Sequence, residues 1–227
     1  MTGELLRLSE TPLHEQRAWE SGGVTVLTAE VTLPRCGERG RRARRFDRYY
    51  RQYARAYLKY CETELLPRAA EAMRAAIERS APWKCAHAAL DFSVTLVRGE
   101  VLSLYTQSAE EGLAPRLIQR RAEVWDRRRG LLLAPSDFFP ARTAVKGRLI
   151  RCARSMAAEQ LDAGTAVYYP DYRSMLRRAF SSRNFYLASD GLHWFYPMYT
   201  VAPAAEGIPD FVLSYREEEG PFAPQDA

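Results

Sequence analysis

The chain has 227 residues, of which 47% are hydrophobic and 27% charged, and its formal net charge is +5 at pH 7. This is a globular composition, which excludes general disorder. A chain of this length buries enough apolar surface to fold as one large domain, or as two small domains in close contact, without covalent cross-links.

The cysteines and the distribution of apolar residues narrow the class of protein. Structural zinc sites need ligand pairs at close spacing, whereas the four cysteines are far apart: Cys36, Cys61, Cys85 and Cys152. We therefore expect free thiols, no metal site and no cofactor. Because the sequence contains neither a signal-peptide core nor an apolar run of membrane length, we expect a soluble cytoplasmic protein.

The N-terminal segment is polar and predicts little regular structure before the first clear strand. We expect at most a short strand near Leu5–Leu8, followed by a turn at Gly22 and Gly23. Val24–Leu33 is rich in Val, Thr and Leu and stops before Pro34, a pattern that predicts a β-strand.

The longest predicted helix begins at Arg41 and is amphipathic. One stripe is aromatic and apolar, at Phe46, Tyr50, Tyr53, Tyr57 and Cys61. The opposite stripe is basic, at Arg41, Arg44, Arg48, Arg51 and Arg55. Proline costs about 3 kcal/mol inside a helix, so we expect a kink or break at Pro67, with helix continuing over Ala69–Arg79.

The middle of the chain predicts a hairpin and then mainly helices. Leu90–Leu96 alternates apolar and polar residues and is followed by a second strand at Val101–Thr106. The elements expected after this hairpin are a helix at Arg116–Arg128, a short strand at Leu131–Leu133, and helices at Thr143–Leu161 and Pro170–Phe180.

The C-terminal region predicts a second hairpin and a shaped loop. Two aromatic runs, Phe185–Ala188 and Leu192–Tyr196, flank an Asp-Gly pair, which is a strong hairpin signal. Several prolines and a glycine then predict that the chain leaves the sheet, makes an excursion over Tyr196–Gly207, and returns as a strand at Phe211–Tyr215. Residues 217–227 are expected to form a flexible tail.

These elements together predict an α+β fold in which an antiparallel sheet built from hairpins has helices packed on one face. The whole chain, 1–227, is expected to form a single unit. It could also comprise two intimate subdomains, at about 1–110 and 111–216.

The C-terminal segment also resembles a known family. The residues that carry the resemblance are Phe185, Tyr186, Leu187, Asp190, Gly191, Leu192, Tyr199, Ala202, Pro203 and Gly207. They resemble the RsiV-like family, a domain of unknown function shared by the lysozyme-binding anti-sigma factor RsiV and the peptidoglycan deacetylase PdaC. Its members usually act outside the cytoplasm. The resemblance implies a protein-recognition role, with lysozyme as the partner by analogy and Tyr199 and Pro203 as matching residues.

Three functional hypotheses stay open at this point. The leading one is a non-catalytic protein-recognition or regulatory module, with partner-binding residues Tyr196, Tyr199 and Pro203 in the excursion. The second is an enzyme of unknown reaction, for example one that hydrolyses cell-wall material. The sequence nevertheless offers no catalytic residue, since none of the three histidines has a neighbouring partner that would make it a general base.

The third hypothesis is nucleic-acid binding through the basic helix face. Between Arg41 and Arg55 there are seven arginines and one acid, Asp47, a local charge of +6 against +5 for the whole chain. Arg44, Arg48 and Arg51 would be the anion-binding residues. Solvation of an outer helix face explains the same arginines more simply, because the tyrosines on the opposite face cannot stack on bases while buried.

Overall fold

The computed structural model describes residues 5–216 and 221–225. These residues divide into two compact units. The N-terminal unit comprises Leu6–Phe92 and Thr106–Ile118, and the C-terminal unit is built chiefly from Ser93–Tyr105 and Gln119–Ala227. Within the described ranges, none of the helices combines the length and apolarity needed to cross a bilayer.

The fold is mixed α+β, as predicted. The strands are β1 (Leu13–Ser21), β2 (Val24–Leu33), β3 (Ala86–Arg98), β4 (Val101–Glu111), β5 (Ile118–Asp126), β6 (Leu131–Leu132), β7 (Phe185–Leu187), β8 (Gly191–Phe195) and β9 (Asp210–Ser214). The helices are α1 (Arg41–Tyr60), α2 (Leu66–Glu78), α3 (Val145–Asp162) and α4 (Tyr172–Arg178). Six strands form one sheet in the order β1-β2-β3-β4-β5-β6, and three form another in the order β7-β8-β9.

The first strand lies where the sequence did not predict one. The structure places β1 at Leu13–Ser21, antiparallel to β2, whereas Leu8 makes only an isolated bridge to Cys36. Most side chains of β1 are exposed or half-buried, so this edge strand has no apolar alternation to reveal it. The expected turn at Gly22 and Gly23 is confirmed, with φ of 60° and 79°, which suits a tight hairpin.

The amphipathic helix α1 is confirmed. Phe46, Tyr50 and Tyr57 are buried, and the hydroxyl of Tyr57 donates a hydrogen bond to the carbonyl of Ala89, 3.0 Å away. The kink or break expected at Pro67 does not occur at the proline itself, since a π-helical stretch at residues 61–65 precedes it and α2 then runs through Pro67. Proline is tolerated there because the first turn of a helix has no N–H partner to lose.

Two features of the larger sheet differ from the sequence-based picture. The predicted hairpin is confirmed as β3 and β4, which are neighbouring strands, but β2 pairs with β3 in parallel. The predicted helix at Arg116–Arg128 is wrong, since the structure forms strand β5 there. Its charged residues have helical propensity, but packing in the sheet buries Ala122–Asp126 and overrides it.

The three-stranded sheet carries the main core of the C-terminal unit. One face consists of alternate residues of β7, β8 and β9, among them Leu187, Trp194 and Phe211, all nearly inaccessible to solvent. Helices α3 and α4 cover this face through Leu149, Ala153, Ala157, Tyr172 and Leu176. The predicted C-terminal hairpin and last strand are thereby confirmed, with both pairs antiparallel.

The chain after the last strand is described only in part. Residues 217–220 and 226–227 of the predicted flexible tail lie outside the described residues. Between them, Pro221 and Pro224 are buried and the amide of Phe222 donates a hydrogen bond to the carbonyl of Phe138.

Gly191 is the tightest backbone approach in the small sheet. The Asp-Gly pair suggested a turn glycine, yet Gly191 is the first residue of β8 and its φ is not positive. A Cβ at this position would lie 2.3 Å from the carbonyl oxygen of Leu213 and 2.9 Å from its carbonyl carbon. The glycine is therefore required by the contact with β9 rather than by the turn.

Replacing Gly191 should consequently destabilise the protein. We expect Gly191→Ala to lower the free energy of unfolding by about 2 kcal/mol or more, because backbone atoms must move to admit the methyl group. Urea unfolding measures this. The matched control is Gly147→Ala in α3, where a Cβ would meet only a guanidinium nitrogen of Arg151 at 3.6 Å and alanine should instead stabilise the helix by up to about 1 kcal/mol. Equal stability of Gly191→Ala and the unmodified chain would contradict this β8–β9 pairing.

Candidate functional site

The excursion between β8 and β9 is held by backbone hydrogen bonds along its length. At its base the amide of Tyr196 donates to the carbonyl of Pro209 at 2.9 Å. Further along, the carbonyl of Val201 accepts from the amide of Tyr169 at 3.1 Å, and Val201 itself is fully buried. The loop is thus fixed at its base and at its centre, so its shape does not depend on a partner.

The three residues predicted to bind a partner occupy different environments. Tyr196 is only 1% exposed, stacks edge-on against Phe211, and donates its hydroxyl to the carbonyl of Leu176 at 3.0 Å. Tyr199 is 38% exposed, and Pro203 is half-buried before a short 3-10 turn. The structure therefore makes Tyr196 an anchor of the excursion on α4, whereas Tyr199 and Pro203 keep part of their surface open to solvent.

Tyr199 also has an unusual backbone. Its φ is +64°, in the left-handed region, although it is neither Gly nor Asn. Such a conformation costs roughly 1–2 kcal/mol for a residue with a Cβ and persists only where the surroundings impose it. The strained residue is thus an exposed tyrosine on a loop that the neighbouring hydrogen bonds hold in place.

The arginines proposed for anion binding lie on the solvent face of α1. Arg44, Arg48 and Arg51 are all exposed, and the Nε of Arg51 donates to the carbonyl of Asp47 at 3.2 Å. Tyr50 is buried on the opposite face. The two faces separate as the sequence predicted, so aromatic rings and arginines do not combine into one nucleic-acid surface.

A polar network that the sequence did not reveal covers the other face of the three-stranded sheet. The Nε2 of His193 lies 2.9 Å from an oxygen of Asp190, and its Nδ1 lies 3.3 Å from an oxygen of Asp210. The second oxygen of Asp210 accepts from the hydroxyl of Tyr186 at 2.7 Å and from Arg120 at 2.9 Å. We call these five residues the His193 network.

Aromatic rings pack around the His193 network. The ring of His193 stacks on Tyr186 with centroids 4.7 Å apart. The guanidinium of Arg120 lies 4.4 Å from the ring centroid of Tyr105 and 5.6 Å from that of Phe195, both within cation–π range. The network therefore joins β5, β7, β8 and β9 of the C-terminal unit.

The network shifts the pKa values of His193, Asp190 and Tyr186. Burial lowers the pKa of His193, but the hydrogen bonds that its ring donates to Asp210 and Asp190 outweigh burial and raise this pKa above its usual value. The bond to His193 in turn lowers the pKa of Asp190. Burial, followed by the hydrogen bond to Asp210, raises the pKa of the Tyr186 hydroxyl. The charged imidazolium of His193 and the carboxylate of Asp190 stabilise one another.

The geometry of the His193 network suits a structural link between strands better than acid–base catalysis. A general base must present a free ring nitrogen to its substrate, yet both nitrogens of His193 face carboxylates. Over the described ranges, no three His, Cys, Asp or Glu side chains are grouped so that they could hold a metal ion. All four cysteines carry free thiols.

Sequence reasoning missed this network for an identifiable reason. Asp210 is 17 residues from His193 and reaches it across a strand pair, and Asp190, although only three residues away, lies in the turn before the strand that carries His193. The signal that could have found it is strand alternation. Tyr186 and His193 are directly paired on neighbouring strands and therefore point to the same face.

Comparison with known proteins gives a family of unknown function and a shared fold. A family model described as protein of unknown function (DUF3298) matches residues 174–216. A crystal structure of a DUF3298 family member from Bacteroides fragilis superposes with a TM-score of 0.63 at 16% identity, covering 96% of this chain and 94% of that chain.

A second crystal structure agrees. The DUF3298 family protein from Pseudomonas aeruginosa superposes with a TM-score of 0.60 at 15% identity, covering 97% of this chain and 96% of that chain. No functionally curated protein matches the sequence. The matched segment 174–216 contains the three-stranded sheet, the excursion and most of α4.

The raised pKa of His193 predicts a pH-dependent stability. A folded-state pKa above the unfolded value contributes stability that is complete below the unfolded value of about 6.5 and is lost as pH rises through the folded value. We therefore expect the free energy of unfolding to fall as pH is raised from about 6 to 8. Urea unfolding across this range measures the slope, which His193→Gln should remove.

Asp190→Asn provides the graded control for this slope. It removes one of the two carboxylates beside His193 and leaves Asp210, so the slope should shrink without vanishing. A slope in His193→Gln as steep as that of the unmodified chain would show that another group causes the pH dependence.

Proposed function

We propose that this chain is a non-catalytic protein-recognition module of the RsiV-like type, and that it contacts its partner through the excursion at Tyr199 and Pro203. The observation that carries the proposal is the strained, exposed Tyr199 on a loop fixed by hydrogen bonds. The resemblance of the segment around Tyr199 to the RsiV-like family supports it.

A pre-shaped loop favours binding because little entropy remains to be lost. Val201 and Ala202 are buried in the core of the C-terminal unit, and the amide of Gly207 donates to the carbonyl of Ala204 at 3.0 Å. Ordering a rotamer-rich side chain at an interface costs about 0.5–1.5 kcal/mol, and a tyrosine on a fixed backbone avoids part of that cost.

The residues next to Tyr199 explain how it stays presented. The two residues before it are both constrained, since Met198 is buried and Pro197, itself exposed, restricts the backbone. Pro197 also accepts a hydrogen bond from the amide of Thr200 at 3.2 Å, closing a tight turn around Tyr199. Tyrosine is enriched at recognition surfaces because its ring is large and amphipathic, and its phenol can donate and accept.

The His193 network supports a non-catalytic role rather than the hydrolytic alternative. Its histidine has no nitrogen left for a substrate, and its arginine is already paired with Asp210. These interactions fix the sheet from which the excursion starts, since Phe195 pairs with Asp210 at the base of the loop.

The proposal is tested by comparing the partners captured by the chain and by Tyr199→Ala combined with Pro203→Gly. A pull-down from the source cells, read by mass spectrometry, should lose at least one partner in the double variant. Phe222→Ala is the matched control, because Phe222 is an exposed aromatic residue outside the excursion. Identical partner lists for the chain and the double variant would count against the excursion as the contact surface.

A pair of single variants separates the ring of Tyr199 from its backbone. Tyr199→Gly and Tyr199→Ala both remove the ring, but only glycine accepts a φ of +64° without strain. We expect the glycine variant to be more stable than the alanine variant by about 1 kcal/mol in urea unfolding. Both should lose the partner equally, whereas retention by the glycine variant would mean that loop shape, not the tyrosine ring, is recognised.

A further inference from the structure

A basic groove lies between helices α3 and α4 of the C-terminal unit. Its volume is about 390 Å³, and it is lined by Lys146, Gly147, Ile150, Arg151, Arg154 and Arg177. Four of these six residues are cationic and none is acidic. We call it the α3–α4 groove.

The cations of the groove are not neutralised by neighbouring carboxylates. In the part of the chain that the structure describes, Lys146, Arg151 and Arg177 form no ion pair, and Lys146 instead lies 5.8 Å from the ring centroid of Phe180. The first turn of α3 contains no acidic residue either, and the dipole of that helix end adds to the positive field. Unpaired, converging arginines favour an anionic ligand.

One arginine is already fixed in place. Arg154 donates from Nε and Nη2 to the carbonyl of Arg173 in α4, at 3.0 and 2.7 Å. This fork connects the two helices that form the walls of the groove. The groove is therefore pre-shaped, and a ligand need not pay to assemble it.

The floor of the groove is apolar and kept open by a glycine. Ile150 is buried, and Gly147 lies within the first turn of α3, where glycine costs up to about 1 kcal/mol against alanine. The backbone does not require it, since its φ is ordinary and a Cβ would meet only Arg151 at 3.6 Å. What the glycine does provide is open space in the lining of the groove beside Arg151.

We infer that the α3–α4 groove binds an acidic peptide segment of a protein partner. Carboxylates of the segment pair with Arg151 and Arg177, and an apolar side chain between them covers Ile150. This inference rests on the proposed protein-recognition function and adds the chemistry of the partner. The hydroxyl of Tyr196 bonded to Leu176 attaches the excursion to the helix that carries Arg177.

The shape of the groove favours a peptide over a nucleic acid. Nucleic-acid binding needs a basic track several phosphates long, with aromatic rings for stacking when the strand is single. Here four cations surround one short cavity, and Phe180 is engaged with Lys146. A planar carboxylate of the peptide matches the fork of an arginine. An apolar side chain beside that carboxylate matches Ile150 in the lining of the groove.

The test measures fluorescence anisotropy of a labelled peptide that alternates glutamate and leucine, titrated with the full chain. The combined variant Arg151→Glu and Arg177→Glu should weaken binding about tenfold or more. Gly147→Leu, which fills the groove without changing charge, should weaken it as well. Circular dichroism of each groove variant verifies that the substitutions leave the fold intact.

Two controls separate the groove from general electrostatic attraction. The triple variant Arg44→Glu, Arg48→Glu and Arg51→Glu changes more charge on α1 and should leave the peptide affinity within about twofold. The same peptide with glutamine in place of glutamate should not bind. Three results would each overturn the inference. The glutamate peptide does not bind, the glutamine peptide binds as tightly as the glutamate peptide, or the α1 variant loses as much affinity as the groove variant.

Two further arms distinguish the source of the anion and the proposed function. The first arm repeats the titration with a labelled DNA strand. If the DNA bound more tightly than the peptide, and the combined variant Arg151→Glu and Arg177→Glu weakened its binding, the ligand would be a phosphate and the peptide assignment would be refuted. Tyr199→Ala with Pro203→Gly should still bind the acidic peptide. If the acidic peptide does not bind but the pull-down still loses a partner in the Tyr199 and Pro203 variant, the groove alone is refuted. If the peptide binds but the pull-down is unchanged in that variant, the excursion alone is refuted.

Discussion

The register between β8 and β9 is the constraint on which the C-terminal unit depends. Side chains alternate across a strand, so a slip of one residue would exchange its two faces. In the observed register Trp194 pairs with Phe211 on the core side, while His193 and Asp210 emerge on the other. The backbone contact between Gly191 and Leu213 excludes the bulkier residues that would push the strands apart. One pairing therefore specifies both an apolar core and a charged network.

The excursion takes its rigidity from the same pairing. It leaves the sheet after Phe195 and returns at Asp210, two residues that face each other across the strands. Tyr196, the next residue, is buried against Phe211 and bonded to α4. A loop with both ends fixed in one sheet and its first side chain in the core can hold Tyr199 in a strained conformation. A mobile loop would relax that conformation instead of presenting the ring.

Local patterns predicted most elements, and the failures share one cause. The Tyr-rich helix, the two hairpins and the last strand follow from periodicity, because one buried face leaves its imprint on the sequence. Strand β1 has no buried face, and β5 carries charged residues whose partners are distant, so neither produces a strand pattern. Arg120, for example, lies in β5 because it pairs with Asp210, ninety residues along the chain. The His193 network escaped prediction for the same reason, since Asp210, Tyr186 and Arg120 meet only through the pairing of distant strands.

The prediction of charged binding surfaces from sequence has the same limit. Counting along the sequence singles out Arg41–Arg55, where arginines follow one another on the exposed face of a single helix, and the Nε of Arg51 donates to the carbonyl of Asp47 in the same helix. The α3–α4 groove combines three cations of α3 with Arg177 of α4, which lies 23 residues beyond Arg154, so no short window of sequence shows all four together. For recognition the second arrangement is the more effective one. Cations that surround an apolar floor act on the same ligand group and lose less field to water than cations spread over an exposed helix.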